Sequence, residues 1–362
     1  MYAVANKGAQ MDRIKGVNLS GWFIPEPWVT PSLFTATGAS DADELLDALG
    51  PIKYVERMRH HLETFASEDD FRRMSNVGLN AVRLPVPWYW FGVQDEDSVH
   101  FPVVDYIDRA MEWTVKYDLK VLLDLATVPG GQGDANEQST SDFTAEWHSS
   151  NSGRATALGA LTSLAKRYGH AENLLGIELL DSPQMRVRRG LINTTEGIPG
   201  HYLRNFYRDA YDTIRPLLDD DKLIVFSSSG YPDQWKHFMS SAKYKNVVMD
   251  VHLYHYKDQL AQDITSPLGL TSAIARNKSV IKEARAAGFP VIVGEWSGAA
   301  VFANSSITPE GRSAYERVFV ANQLASFEPA LGWFFQTWKT EKRIPSWDAR
   351  VTLATLERAM ID

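Results

Sequence analysis

One glutamate in this 362-residue chain is well placed to do chemistry. The run Pro290-Val291-Ile292-Val293-Gly294-Glu295-Trp296-Ser297 is β-forming and ends in a lone carboxylate followed by an indole. A parallel barrel presents a charged group at the mouth of its sheet in this way. Such a carboxylate can attack the anomeric carbon of a sugar and hold it as an ester. It can also be purely structural, neutralised by a nearby arginine, and the residue alone leaves both readings open. His252 and Tyr254, two apart in another apolar run, share one face of a strand. His255 points the other way and is expected to be structural. Arg186, Arg188 and Arg189 form a basic group that either recognises a carboxylate or phosphate or is a solvated face.

These residues need elements to hold them. Eight short apolar runs recur, at Ile14–Leu19, Leu79–Leu84, Lys120–Leu125, Leu174–Leu180, Leu223–Ser227, Val247–Val251, Val291–Glu295 and Leu331–Gln336. Most are separated by amphipathic stretches, at Glu68–Asn76, Val103–Tyr117, Gly153–Tyr168, Tyr202–Leu217, Leu270–Ala287 and Pro309–Phe327. A last helix is expected from about Ala349 to Met360. Apolar strands alternating with helices indicate a parallel sheet covered on both faces. Eight of them indicate closure into a (β/α)8 TIM barrel. Ser67 before three acidic residues, and Thr308 before Pro309, read as helix starts. Three long loops, 25–64, 127–150 and 181–200, should crowd the face where barrels bind ligands. No linker or repeat divides the chain, so one domain spanning residues 1–362 is expected.

Composition excludes several classes of function. A net charge of -8 disfavours nucleic acid. The absence of cysteine removes disulfides and thiolate metal sites. Neither the adjacent His60-His61 pair nor any other spacing reads as a metal centre, and no cofactor is expected. No run approaches the roughly 20 apolar residues of a membrane span, and Met1 to Lys15 lacks a signal-peptide core. A cytoplasmic location is the expectation.

Beyond these readings, several motifs resemble one family. Gly16-Val17-Asn18-Leu19-Ser20-Gly21-Trp22 and Pro25-Glu26-Pro27-Trp28, then Asn80-Ala81-Val82-Arg83-Leu84-Pro85, resemble the opening of the exo-β-1,3-glucanase branch of glycoside hydrolase family 5. So do His252-Leu253-Tyr254, Gly294-Glu295-Trp296-Ser297 and Gly332-Trp333-Phe334-Phe335-Gln336-Thr337-Trp338-Lys339-Thr340-Glu341. The resemblance implies a retaining glycosidase barrel with Glu295 as nucleophile and Arg83 beneath it, keeping it ionised. It also implies Tyr254 orienting Glu295, and His252 touching substrate or supporting the nucleophile. Glu26 would grip glucose and Trp338 would form a stacking floor, unless that indole merely caps the barrel. Trp296 either shapes an aglycone site or is core; Trp22, Trp28, Trp88 and Trp90 are expected to be mostly core.

The departures from the family fall at the chemistry. Family members carry Asn-Glu-Pro after strand four, with the glutamate as general acid/base, where this chain has Asp181-Ser182-Pro183. A Leu-His-Gly after strand three is here Leu125-Ala126-Thr127. Ser182, in the acid/base position, cannot supply a proton near neutral pH. Asp181 is either a contact to the sugar 2-hydroxyl or a displaced acid/base with a raised pKa. The expected enzyme moves a β-glucosyl unit between aryl or otherwise activated glucosides and phenolic or alcohol acceptors, with weak hydrolysis. Two alternatives stay open: a silent glucoside-binding protein, and a residual exo-β-glucanase or β-glucosidase that uses Asp181.

Overall fold

The structure, a computed structural model, describes residues 12–91, 101–133, 145–189, 192–193, 197–256, 263–302 and 306–356. Among them, eight parallel strands close into a barrel: β1 (Ile14–Asn18), β2 (Ala81–Val86), β3 (Lys120–Leu125), β4 (Leu174–Glu178), β5 (Leu223–Ser227), β6 (Val247–His255), β7 (Val291–Ala300) and β8 (Gly332–Phe335). Each lies beside its neighbour in sequence, and β8 returns to β1 with Gly332 opposite Ile14. This is the (β/α)8 barrel expected.

The helices α1 (Ala42–Leu49) and α2 (Pro51–Thr64) belong to the long segment after β1. The others are α3 (Glu68–Asn76), α4 (Val104–Lys116), α5 (Asn151–Tyr168), α6 (Gly200–Ile214), α7 (Pro267–Ala286), α8 (Pro309–Ser326) and α9 (Ala349–Thr352). Their starts follow local chemistry. Asp70 accepts from both the backbone N–H and the hydroxyl of Ser67, and the Thr308 hydroxyl accepts from Gly311 N–H ahead of Pro309 at the first helical position.

Some boundaries differ from expectation. Strands β6 and β7 run past the expected ends, so that His252 and Tyr254 also lie on strand and β7 continues five residues beyond Glu295. The last helix is a single turn followed by a 3-10 turn at Leu353–Thr355; the rest of its expected span lies outside the described residues. Between β5 and β6 stands only a 3-10 turn at Pro232–Trp235, whose Trp235 packs on Tyr207, Phe226 and Phe238. The segment 181–200 was expected as loop, but it holds two small ladders. Met185–Arg186 pairs with Ile198–Pro199, and Arg188–Arg189 with Ile192–Asn193. No helix among the described residues is long and apolar enough to cross a membrane.

The barrel interior is layered by the two-residue period of its strands. Ala81, Leu122, Val248, Ile292 and Phe334 belong to one buried apolar plug. Two residues onward along three of those strands come Arg83, Asp124 and Asp250, all fully buried. Strict alternation from Ile292 would turn Gly294 inward and Glu295 outward. A register shift corrects this: Val251 lies beside Val293 but His252 beside Glu295, so Gly294 is the extra residue of a bulge. The bulge needs glycine, because a Cβ there would lie 2.2 Å from Asp250 Oδ2.

The seam between β1 and β8 is equally tight. A Cβ on Gly332 would stand 2.1 Å from the Ile14 carbonyl oxygen, which is backbone and cannot swing aside. Gly332→Ala should therefore destabilise the barrel by roughly 3 kcal/mol through overpacking. A urea melt followed by circular dichroism checks this, the midpoint falling without a change in slope.

Candidate active site

Arg83 stands at the centre of the polar layer, fully buried on β2. Its Nε donates to Glu178 Oε2 at 2.9 Å, and its Nη1 donates to Asn18 Oδ1 at 2.9 Å and to Glu295 Oε1 at 3.1 Å. Its Nη2 donates to Asp181 Oδ1 at 2.9 Å and lies 3.2 Å from Asp124 Oδ2. Strand register explains the gathering: Asn18 is paired with Arg83, and Asp124 with Glu178. One cation cannot neutralise four carboxylates. Burial accordingly pushes Asp124 and Glu178 well above the usual carboxyl range despite the opposing pull of Arg83.

Glu295 has the opposite electrostatics. Tyr254 Oη donates to Oε2 at 2.7 Å, His252 Nδ1 lies 3.2 Å from the same oxygen, and Arg83 holds the other. Burial raises a carboxyl, but His252, Arg83 and the Tyr254 hydroxyl outweigh it and bring Glu295 down to about 2. The carboxylate is thus ionised and oriented, as an attacking group requires. His252 donates through Nε2 to Asp250 Oδ2 at 2.8 Å, and Asp250 Oδ1 accepts from Gly294 N–H at 2.6 Å. Burial would neutralise His252, yet Glu295 and Asp250 on either side raise its pKa well above the ordinary imidazole range. Burial likewise raises Asp250, but His252 carries it below its usual range.

Asp181 and Ser182 follow β4 at the barrel mouth. The Asp181 side chain keeps 22% of its surface and sends Oδ1 to Arg83. An oxygen of Asp181, an oxygen of Glu295 and a ring nitrogen of His252 lie within 4.8 Å of one another. Burial first, and Glu295 in the same direction, raise Asp181 to about 6 against the pull of Arg83 and His252. Ser182 Oγ lies 3.3 Å from His252 Nδ1, on a left-handed backbone with φ of 40°. Gln132, in the loop after β3, donates to the carbonyls of Ala126 and Asp181 and ties the two loops together.

Glu26 is partly buried beside this group, accepting from Gly21 N–H and from the Trp28 indole at 2.9 and 2.8 Å. Burial, and to a lesser degree Glu295 and Asp181, raise it to about 8. A neutral carboxyl there can donate as well as accept a hydrogen bond to a sugar hydroxyl.

Two expected residues are not brought to the site. Trp338 is 2% exposed, with its indole N–H on Asp70 Oδ1 at 2.9 Å, inside the wall between β8 and α3. Enclosed there, the ring presents no open face on which a sugar could stack. Trp296 is fully buried among Phe327, Trp333 and Phe335, on the side of the sheet opposite Glu295, so it is core. Of the tryptophans expected in the core, Trp22 and Trp90 are buried there, whereas Trp28 and Trp88 are partly exposed. Trp347, which no sequence signal marks, is partly exposed and packs against Trp28, Tyr254 and Tyr256. Trp28 and Trp347 supply the aromatic faces beside the polar group. Asn18, Asp124, Glu178 and Asp250 also went unmarked as site residues; the period-two step up from the apolar plug is the signal that finds Asp124 and Asp250.

His255 Nε2 pairs with Asn277 of α7, and His61 Nε2 with the carbonyls of Gly21 and Trp22. Burial lowers both rings to about 4, so they are neutral struts. Arg186 is exposed, while Arg188 and Arg189 lie on the second small ladder.

An eight-stranded barrel with an ionised glutamate midway along β7, braced by arginine, histidine and tyrosine, has the layout of a sugar-processing barrel. Residues 51–326 match the model described as Cellulase (glycosyl hydrolase family 5), and the chain belongs to that family. It is similar to the probable glucan 1,3-β-glucosidase A of Aspergillus niger, 30% identical over 94% of this chain and 86% of that protein. A glucan 1,3-β-glucosidase of Blumeria graminis is 30% identical over 92% of this chain and 84% of its own length. Among solved structures, the fold resembles the rutinosidase from Aspergillus niger, with a TM-score of 0.76, 17% identity, and coverage of 97% and 98%.

Tyr254→Phe removes one donor from the Glu295 carboxylate and raises its pKa. If Glu295 is the attacking group, which must be ionised, the acid limb of the kcat/KM profile should move to higher pH. A hydrogen bond to a charge is worth about 1.5–3 kcal/mol, so kcat/KM should fall roughly tenfold to a hundredfold. A pH–rate profile on an aryl β-glucoside measures both.

Proposed function

We propose that the protein is a retaining glycosyl-transferring enzyme that takes a β-glucosyl unit from an aryl or otherwise activated β-glucoside onto Glu295. It then passes that unit to a phenolic or alcohol acceptor, with only weak hydrolysis. The observation that carries this reading is an asymmetry at the barrel mouth. Glu295 is held ionised by three donors, whereas Ser182 stands where the family resemblance would place the acid/base glutamate.

Positioned acid catalysis is worth on the order of 10² to 10⁴ in rate. Without that glutamate, departure of a sugar alkoxide is slow and departure of a phenolate is tolerable. The same loss acts on the second half of the reaction, because water needs a base to attack the glycosyl ester. A phenol, with a pKa of about 10 judged from tyrosine, needs much less help. The relatives' names supply the β-glucosyl preference. Glu26, neutral with a pKa of about 8, and Trp28 and Trp347 would hold the sugar.

Incubation with an aryl β-glucoside and a second phenol should yield the exchanged glucoside in excess of free glucose. A 2-deoxy-2-fluoro glucosyl donor should label the Glu295 peptide. Saturable binding with neither product nor label would identify a glucoside-binding protein instead.

A second reading has its own support. The Asp181 carboxyl is raised to about 6 within 4.8 Å of the depressed Glu295, and environments that push two carboxyls apart mark acid and base. If Asp181 is the proton donor, Asp181→Asn should cut turnover of poorly activated donors at least about a hundredfold more than that of nitrophenyl donors. If Asp181 holds the sugar 2-hydroxyl, both classes of donor should fall together. Steady-state rates on the two classes separate the outcomes.

A further inference from the structure

The position that lacks a carboxyl is joined to a histidine. Ser182 Oγ lies 3.3 Å from His252 Nδ1, and the far nitrogen of the same ring lies 2.8 Å from Asp250 Oδ2. We propose that Ser182 and His252 form a proton relay that stands in for the general acid, with His252 as the source and Ser182 delivering to the glycosidic oxygen. The proposal rests on the transfer reading above, since it needs a glycosyl ester on Glu295, and it amends that reading in one respect: proton handling at the barrel mouth is weakened rather than lost, because a hydroxyl gives and takes a proton less readily than a carboxyl.

The charged and titratable groups facing His252 decide whether it can act as a source. Glu295 on β7 is 3.2 Å from Nδ1, Asp250 on its own strand is 2.8 Å from Nε2, and Asp181, after β4, is 3.8 Å from Nε2. Three carboxyls against one ring keep it an imidazolium, in line with its raised pKa. An imidazolium cannot act as a base towards Ser182, so the arrangement does not activate serine as a nucleophile. It can supply a proton.

The release of that proton is timed by the reaction. When Glu295 becomes an ester it loses the charge that held the proton on Nδ1, and the proton affinity of His252 falls as the leaving oxygen gains charge. In the first half, a Glu295 oxygen bonds the anomeric carbon while the bond to the aglycone oxygen breaks. The Ser182 hydroxyl proton goes to that oxygen, and the Nδ1 proton of His252 goes to Ser182 Oγ. His252 is left neutral, still donating through Nε2 to Asp250. In the second half, the acceptor oxygen bonds the anomeric carbon and Glu295 departs as carboxylate. The acceptor proton passes to Ser182, and the Ser182 proton returns to His252. The pair Glu295 and His252 starts as anion and cation and passes through two neutral groups, so the net charge of the buried site never changes.

The test compares wild type, Ser182→Gly and Ser182→Ala on phenyl β-glucoside and 2,4-dinitrophenyl β-glucoside. Ser182→Gly removes the hydroxyl while easing a backbone of positive φ, so loss of folding does not confound it. The relay requires the phenyl-to-dinitrophenyl turnover ratio to fall about tenfold or more in both variants. It also requires the solvent deuterium isotope effect on the phenyl donor, and the basic limb of its pH profile, to vanish. An unchanged ratio and isotope effect in a variant that still forms the Glu295 ester would overturn the relay and leave the transfer reading intact. A ratio that instead collapses only in Asp181→Asn would also overturn it, in favour of that carboxyl. Failure of the wild type to label Glu295 with a 2-deoxy-2-fluoro donor would overturn both readings.

Discussion

The guanidinium of Arg83 is the constraint on which the site depends. It is sealed inside the barrel with four carboxyls and one amide around it. Taking an unpaired charge this far from water costs several kcal/mol even after relaxation, and removing one member of such a set typically costs about 3–5 kcal/mol. The cluster is therefore all or none. Its members do not share the positive charge equally. Glu295 also has His252 and Tyr254, which bring its pKa down, whereas at Asp124 and Glu178 burial outweighs Arg83 and drives the pKa up. The same cation thus braces the Glu295 carboxylate and fixes the position of Asp181.

The fold delivers this arrangement through one departure from regularity. The bulge at Gly294 turns Glu295 inward when the alternation of β7 would have turned it out. The same glycine gives its N–H to Asp250, which in turn fixes His252. A single backbone irregularity therefore aims Glu295 and orients the histidine beside it. The segments after β3 and β4, tied by Gln132, complete the rim that carries Asp181 and Ser182.

Much of this was legible in the sequence, for physical reasons. Continuous apolar runs announce a two-sided buried sheet, and Glu68–Asn76 and Lys120–Leu125 have the same boundaries in sequence and structure. The His252–Tyr254 spacing placed both side chains on the face that meets Glu295. What stayed hidden depends on tertiary context. Trp338 carries the composition of a stacking ring, but the Asp70 carboxylate on α3, some 270 residues earlier, claims its N–H. Trp347 and Trp28 meet only once the chain has closed on itself. The short ladders of 181–200 are two residues per strand, below the length at which periodicity can be read.

The left-handed backbone at Ser182 bears on which side chains this corner can take. A φ of 40° is strained for any residue with a Cβ and is most easily borne by glycine, asparagine or aspartate. A glutamate placed there would have to bear that strain or reshape the turn. Main chain and side chain constrain one another at this corner, so a carboxyl supplied by a single exchange would arrive on a backbone that disfavours it.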